Sequence, residues 1–326
     1  MGQDSRRVII SEDQVASALD MRGAIEAVER GLAAQAHGEA VNMLKTHTAW
    51  NGSTLHAIGA VFPKVGLAGT KTWAHTPRGA SPLLILFDAE SGGVRAIIDA
   101  FNLGKLRTAA ASGVATRRLA REDADDLAII GTGKQAFTQV EAVCAVRRIR
   151  RIRVFSPNEQ HRTEFAAVLK KYFDAEVIAS PNVHDAVRSA SIITTITRAR
   201  EPFLQSAMIE RGTHINAVGA ILPGRAELAA DVVGRCTQIV SDSPPQAQKL
   251  SQELIGAFGS DPEKWKAVFF LGELVTSAGA RRNADDLTLL KSLGTGVLDL
   301  SVGIEVYRRV VPLSLGEGGA TAAGNM

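Results

Sequence analysis

Cysteine is scarce in this chain, and so are long apolar runs, aromatic rings and any surplus of one charge. The two cysteines, Cys144 and Cys236, stand far apart in helix-like and strand-like surroundings. They read as buried, reduced thiols of a cytosolic protein, not as a disulfide framework. The seven histidines and two cysteines never cluster at ligand spacing, so no metal centre is expected. No apolar run approaches the roughly 20 residues of a membrane span, and residues 1–7 lack the apolar core of a signal peptide. A cytoplasmic protein without membrane contact is expected. A formal net charge of +3 is too mild to point to nucleic acid. The basic run from Arg147 to Arg153 reads instead as a solvated face spanning a helix end and a strand start. No Gly-x-Ser-x-Gly nucleophile elbow appears. Length and apolar content are ample: 326 residues, 45% of them hydrophobic, suit two domains.

The stretch from Asp126 to Ala136 organises the rest. An apolar run, Leu127 to Ile130, breaks at Gly131, turns through Gly133 and enters an amphipathic segment from Gln135 to Val146. Strand, glycine turn and helix in that order aim backbone N–H groups and the positive helix end at one point, where a pyrophosphate fits. Gly131 allows the turn, Gly133 lets the phosphate approach, and Ala136 stands where a third, helix-packing glycine often stands. The expected cofactor residues here are Gly131, Thr132, Gly133, Lys134, Gln135 and Ala136. A second strand, Ile152 to Ser156, follows one βαβ unit later, and further strands are expected at 176–179, 192–196, 214–218 and 238–240. That alternation predicts a Rossmann-type, doubly wound parallel sheet.

The segment before it is different. Val8 to Ile10 reads as a strand, Ser11 as a helix cap with Gln14 as its capping-box partner, and Met21 to Ala36 as a helix ended by Gly38. Short runs at 54–62, 67–73, 83–87 and 94–98 predict strands of a mixed or antiparallel sheet, with a hairpin turn at 88–93. Asn102 is expected to open a helix reaching Leu119 and bridging the domains. An amphipathic helix from Val297 to Arg309 is expected to cross back, and the tail from Gly316 to be disordered. The fold class is therefore α/β: an α+β domain of residues 1–118 with 300–326, and a Rossmann domain of residues 119–299.

With Lys71, Arg107 and the glycine turn in view, the chain resembles the ornithine cyclodeaminase/mu-crystallin family over nearly its whole length. The matching pieces are Gly66–Lys71, Leu106–Ala110, Ile130–Ala136, Ile215–Gly219, Pro223–Glu227 and Lys291–Gly294. The resemblance implies a homodimer in which the first domain supplies the dimer sheet and the substrate pocket. It implies that Arg107 grips a substrate carboxylate, a task suited to a planar fork. It places Lys71 near the nicotinamide and the reacting carbon, where a buried lysine could polarise the substrate or donate a proton. Lys45 stands where many members carry a second carboxylate-binding arginine; His75 reads as a solvated loop histidine. Ornithine-type cyclodeaminases carry two carboxylates where this chain has Ile221 and Ala60. Their absence disfavours cyclisation of a diamino acid and favours hydride transfer to or from a C=N carbon.

The expected activity is thus NAD(P)H-dependent reduction of a small 2-imino acid or ketimine, or its reverse. The rivals are a cyclodeaminase with tightly held NAD and an NADPH-dependent ligand-binding protein. The second strand ends without an acid until Glu159, while Ser156, Asn158 and Arg162 could accept a 2′-phosphate, so NADP(H) is favoured over NAD(H). Thr195, Thr197, Val218 and Gly219, at the carboxyl ends of later strands, are expected to face the cofactor.

Overall fold

The computed structural model of the chain describes residues 8–277, 281 and 283–311; residues 1–7 and the tail from 316 lie outside them. Strand β1 (Val8–Ile10) runs into Ser11, whose hydroxyl accepts the Gln14 N–H while the Gln14 side chain accepts the Ser11 N–H. This is the expected capping box, and it starts α1 (Glu12–Ala18). Asp20 caps α2 (Met21–Ala36), which buries Ala24, Ile25, Val28 and Leu32 along one face.

There follow β2 (Val41–Trp50), β3 (Ser53–Phe62), β4 (Leu67–Thr76), a short β5 (Gly79–Ala80), β6 (Leu83–Asp88) and β7 (Val94–Asp99). With β1 they form a mixed sheet in the order β1-β7-β6-β4-β3-β2, with β5 on β4. β1 is parallel to β7, and the pairings of β2 through β7 are antiparallel. The next helix, α3 (Phe101–Leu119), does not open at Asn102. It starts one residue earlier without a side-chain cap of its own. The Glu12 carboxylate on α1 caps it from outside, accepting the N–H groups of Phe101 (2.6 Å) and Asn102 (2.8 Å).

The second sheet begins with β8 (Asp126–Ile130), α4 (Ala136–Val146), β9 (Arg151–Phe155), α5 (Glu159–Tyr172), β10 (Glu176–Ala179), α6 (Val183–Val187) and β11 (Ile192–Thr195). It continues through β12 (His214–Ala217), α7 (Ala230–Arg235), β13 (Gln238–Ser241), α8 (Pro244–Leu250), α9 (Gln252–Phe258) and α10 (Pro262–Trp265), then β14 (Val268–Phe270), α11 (Leu271–Thr276) and β15 (Thr288–Lys291). Its strands are parallel, in the order β10-β9-β8-β11-β12-β15-β13-β14. Leu127 and Ile129 pack on one face, Ala128 and Ile130 on the other, as the alternation of a strand covered on both sides requires. This is the doubly wound Rossmann-type sheet expected, with two strands more.

The basic run is not wholly solvated. Arg148, Arg150 and Arg151 are exposed, but Arg153 is buried against Asp126. Arg147 turns inward and donates to the carbonyls of Thr116, Arg117 and Ala120 at the end of α3. β9 is covered on both faces, so beyond its exposed first residue neither side of the strand points to solvent. The cysteines are partly, not fully, buried; burial raises both thiols to about 12, so neither is a reactive thiolate near neutral pH.

The last helix, α12 (Gly296–Val310), crosses back and packs on α2, α3, β3 and β4. Its first residue has to be small, because a Cβ on Gly296 would collide with the Gly59 backbone of β3. That close approach lets the first turn of α12 reach the middle of β4. No described helix is long and apolar enough to cross a membrane.

Candidate active site

Lys71 sits in the middle of β4, its register partners Ile58 on β3 and Leu84 on β6 both apolar, and it is only 5% exposed. Such a site favours the neutral amine unless an anion is supplied. Asp299, on the first turn of α12 and fully buried, supplies one. Its Oδ1 accepts from Lys71 Nζ at 2.5 Å and from Arg107 Nε at 3.1 Å. Its Oδ2 is buried and has no hydrogen-bond partner among the described residues. Burial pulls Lys71 down to about 8; Asp299 opposes that shift, while Arg107 and Lys45 reinforce it.

Lys45 on β2 completes a group of three cations. Burial lowers its pKa, Arg107 lowers it further, and Asp299 works the other way. The ammonium groups of Lys45 and Lys71 stand 5.7 and 5.3 Å from the centroid of the Trp73 ring, within cation–π range. Trp73 stacks on His56 at 4.7 Å, and His56 on His47 at 5.5 Å. The register of β2, β3 and β4 puts these three side by side. Burial keeps His56 below its ordinary pKa, with Lys45, His47 and His75 adding to the effect. His75 itself is exposed near the end of β4. Three cations around one carboxylate, walled by ring side chains, make a place for a small anion. Arg107 remains 18% exposed and has a fork to offer.

The glycine turn lies alongside. Gly131 has φ +114°, and a Cβ there would meet the Ile196 carbonyl at 2.6 Å; a glycine is required. At Gly133 a Cβ would meet nothing within 4 Å, which leaves open space above the turn. Thr132, Lys134 and Gln135 complete it. Ala136 is buried and its N–H donates to the Gly133 carbonyl at 2.9 Å; α4 starts without a side-chain cap, which leaves the N–H groups of the rest of its first turn to an anion. Strand order reverses at β8, which has β9 on one side and β11 on the other, the switch point where such sheets bind ligands. Two contacts bring α3, the helix that carries Arg107, against this end of the second sheet. Lys134 Nζ is 5.7 Å from the ring of Phe101, the first residue of α3. The loop after β15 passes so close that a side chain on Gly294 would collide with Arg107.

The other expected cofactor residues divide. Ser156 is buried after β9, and Arg162 donates to its carbonyl at 3.2 Å. The Asn158 side chain is committed to capping α5 through the His161 N–H, at 2.9 Å. Thr195 is fully buried and its hydroxyl donates to Glu227 at 2.8 Å, while the Thr197 N–H reaches the other Glu227 oxygen at 2.6 Å. The N–H groups of Val218 and Gly219 both donate to the Thr195 carbonyl. Lys291 holds the Gly219 carbonyl at 2.9 Å and pairs with Glu253 at 3.2 Å. Glu227, buried and pushed up by desolvation against the pull of Lys291, thus ties together the loops after β11 and β12. The Thr195 hydroxyl turns into this network instead of toward the crevice.

Sequence reasoning brought Lys71, Arg107 and Lys45 to one place and missed Asp299, Glu227 and Trp73. Asp299 left a signal: an acid between Leu298 and Leu300 on an otherwise apolar helix face. Ile221 and Ala60 put no carboxylate at the site; the one facing Lys71 and Arg107 comes from α12.

A profile of the ornithine cyclodeaminase/mu-crystallin family matches residues 5–312. A Δ1-pyrroline-2-carboxylate reductase of Bacillus cereus is 32% identical over 236 residues, 72% of each chain. Among solved structures, a Δ1-pyrroline-2-carboxylate reductase of Thermococcus litoralis in complex with NADH and L-proline superposes with a TM-score of 0.87 at 27% identity, covering 93% of this chain and 97% of that one. An archaeal alanine dehydrogenase dimer with bound NAD gives a TM-score of 0.86 at 28% identity, with 93% and 96% covered.

Proposed function

The chain belongs to the ornithine cyclodeaminase/mu-crystallin family, and from that premise we propose that it is an NAD(P)H-dependent reductase of small 2-imino acids or ketimines, able to run in reverse as an amino-acid dehydrogenase. One observation carries this reading: the buried Lys71–Asp299–Arg107 cluster lies beside a dinucleotide-type glycine turn at the switch point of the second sheet. The relatives named reductase, and the neighbour holding L-proline, favour a planar cyclic imine bearing a 2-carboxylate.

In this reading Arg107, helped by Lys45, binds the substrate carboxylate, and the Trp73 ring walls the pocket. A bound nicotinamide dinucleotide supplies the hydride. Lys71 Nζ donates the proton that the imine nitrogen takes up as its carbon is reduced, and regains one from solvent. In the reverse direction, neutral Lys71 accepts that proton. Positioning and fixed charge account for most of the rate gain. A cyclodeaminase would have to hold a distal ammonium, and the cationic cluster repels one. A ligand-binding protein would seat the same carboxylate and cofactor without turnover.

The cofactor fits the residues present, since the space above Gly133 is open and the helix behind it uncapped. Gly133→Ala therefore puts a methyl group where the pyrophosphate approaches without disturbing the fold. The expected result is an unchanged melting temperature with at least a tenfold weaker cofactor Kd, about 1.4 kcal/mol; unchanged Kd in a fluorescence titration would refute the placement. NADP(H) is favoured over NAD(H) because Ser156 and Arg162 replace an acid at the end of β9, and the ratio of kcat/KM for the two cofactors decides it.

The division into a substrate-binding unit (1–118 with 300–326) and a cofactor unit (119–299) follows from the same reading. So does a homodimer. Edge strand β2 and its neighbour expose Val41 (59%), Leu44 (68%), Trp50 (43%) and Leu55 (50%), an apolar edge that needs covering. A monomer in sedimentation equilibrium at micromolar concentration would remove that part. A cytoplasmic location accords with a soluble amino-acid enzyme, and fractionation of the source cells would test it.

A further inference from the structure

The arrangement around Asp299 says more than that a lysine and an arginine share a pocket. Both cations bond to the same oxygen, Oδ1, at 2.5 and 3.1 Å, while Oδ2 is buried without a partner among the described residues. Two donors competing for one acceptor weaken each other, and two like charges so close repel. Arg107 is the one that can leave: it is partly exposed, whereas the Lys71 and Asp299 side chains are 6% and 0% exposed. A carboxylate arriving from the crevice offers its fork a better, bidentate partner.

Resting on the proposed reading of Arg107 as the carboxylate anchor, we infer that Asp299 is a positioning residue that passes from Arg107 to Lys71 when a substrate carboxylate is seated, so that under mildly basic conditions the proton donor stays loaded only behind a 2-carboxylate. The groups facing Lys71 are Asp299 from α12, Arg107 from α3, Lys45 from β2 and the Trp73 face from its own strand. The flanking strands present Ile58 and Leu84, which do not titrate. Seating an anion on Arg107 cancels its repulsion of Lys71 and leaves Asp299 Oδ1 to a single cation. Both changes raise the affinity of Lys71 for its proton above the free-state value of about 8. By linkage, carboxylate binding takes up a proton wherever the pH lies between the free and bound values. The device would select 2-carboxylated imines over simple imines in the chemical step, not in binding alone.

The test is calorimetric and needs no turnover. Cofactor-saturated protein is titrated at pH 7 to 9.5 with pyrrole-2-carboxylate, a planar ring with no reducible C=N bond, and separately with pyrrole-2-carboxamide. Each titration is repeated in two buffers of different ionisation enthalpy, which gives the number of protons taken up. Expected are fractional proton uptake near pH 8 to 9 with the carboxylate and none with the carboxamide. In Asp299→Asn the uptake window and the basic limb of the imine-reduction profile should both move down by about one to three pH units. A residue that only held the helix in place would move neither. Equal uptake with both ligands, or carboxylate binding without uptake, would overturn the coupling while leaving the proposed activity standing. Failure of the carboxylate to bind at all would remove the anchor role of Arg107, and the coupling with it. If Asp299→Asn does not fold, the comparison of the two ligands on the unaltered protein still decides.

Discussion

Arg107→Ala is expected to lower kcat/KM for imine reduction by about thirty-fold to several thousand-fold, mainly through KM. That range corresponds to roughly 2–5 kcal/mol, the usual cost of removing one partner from a desolvated, hydrogen-bonded charge pair. The substrate carboxylate would lose its fork, and Lys45, a single point charge shared with the Trp73 ring, replaces little of it. Arg107→Lys should recover only part of the loss, since the charge returns without the bidentate geometry. Cofactor affinity should be unaffected, because Arg107 lies on α3 and not on the glycine turn. Steady-state kinetics with an unchanged KM in the alanine variant would place the carboxylate elsewhere.

Lys71→Met is expected to lower kcat by about 10²- to 10⁴-fold, the range for loss of a positioned proton donor, with a smaller effect on KM. Methionine keeps the volume of the buried stem, and Asp299 retains Arg107 as a partner, so the fold should survive. The pH dependence follows from the same residue. Free Lys71 is held near 8, so it carries a proton below that value and loses it above. In the reducing direction kcat/KM should fall as pH rises through about 8, and in the oxidising direction it should rise over the same interval. Lys71→Met should abolish both limbs. A variant that keeps the wild-type profile would show that another group or water handles the proton.

Much of this was legible in the chain itself. The glycine turn, the capping box at Ser11 and the alternation of strands and helices are local signals, and they appear where the residues put them. Lys71 and Arg107 could be named because short pieces around them match a family. Asp299 could not, for a physical reason: its role depends on α12 returning across the whole chain to lie on β3, and that return hinges on two glycines, Gly59 and Gly296, touching backbone to backbone. β15 was missed for a similar reason. Four residues, Thr288 to Lys291, make a central strand only because β12 and β13 leave a gap between them. Arg147 and Arg153 looked solvent-facing because their partners, the end of α3 and Asp126, are distant in sequence. Glu227 looked like part of a matching motif without a task; only the fold brings Thr195, Thr197 and Gly219 around it.

The proposed reaction is tested by following loss of NADPH and NADH absorbance by the purified protein. It would be offered Δ1-pyrroline-2-carboxylate, its six-membered homologue, and small 2-oxo acids with ammonia or methylamine. Imine-dependent oxidation, faster with NADPH and lost in Lys71→Met, is the expected result. No oxidation of either cofactor across the panel, with ammonia released from ornithine or lysine instead, would contradict it and make the chain a cyclodeaminase.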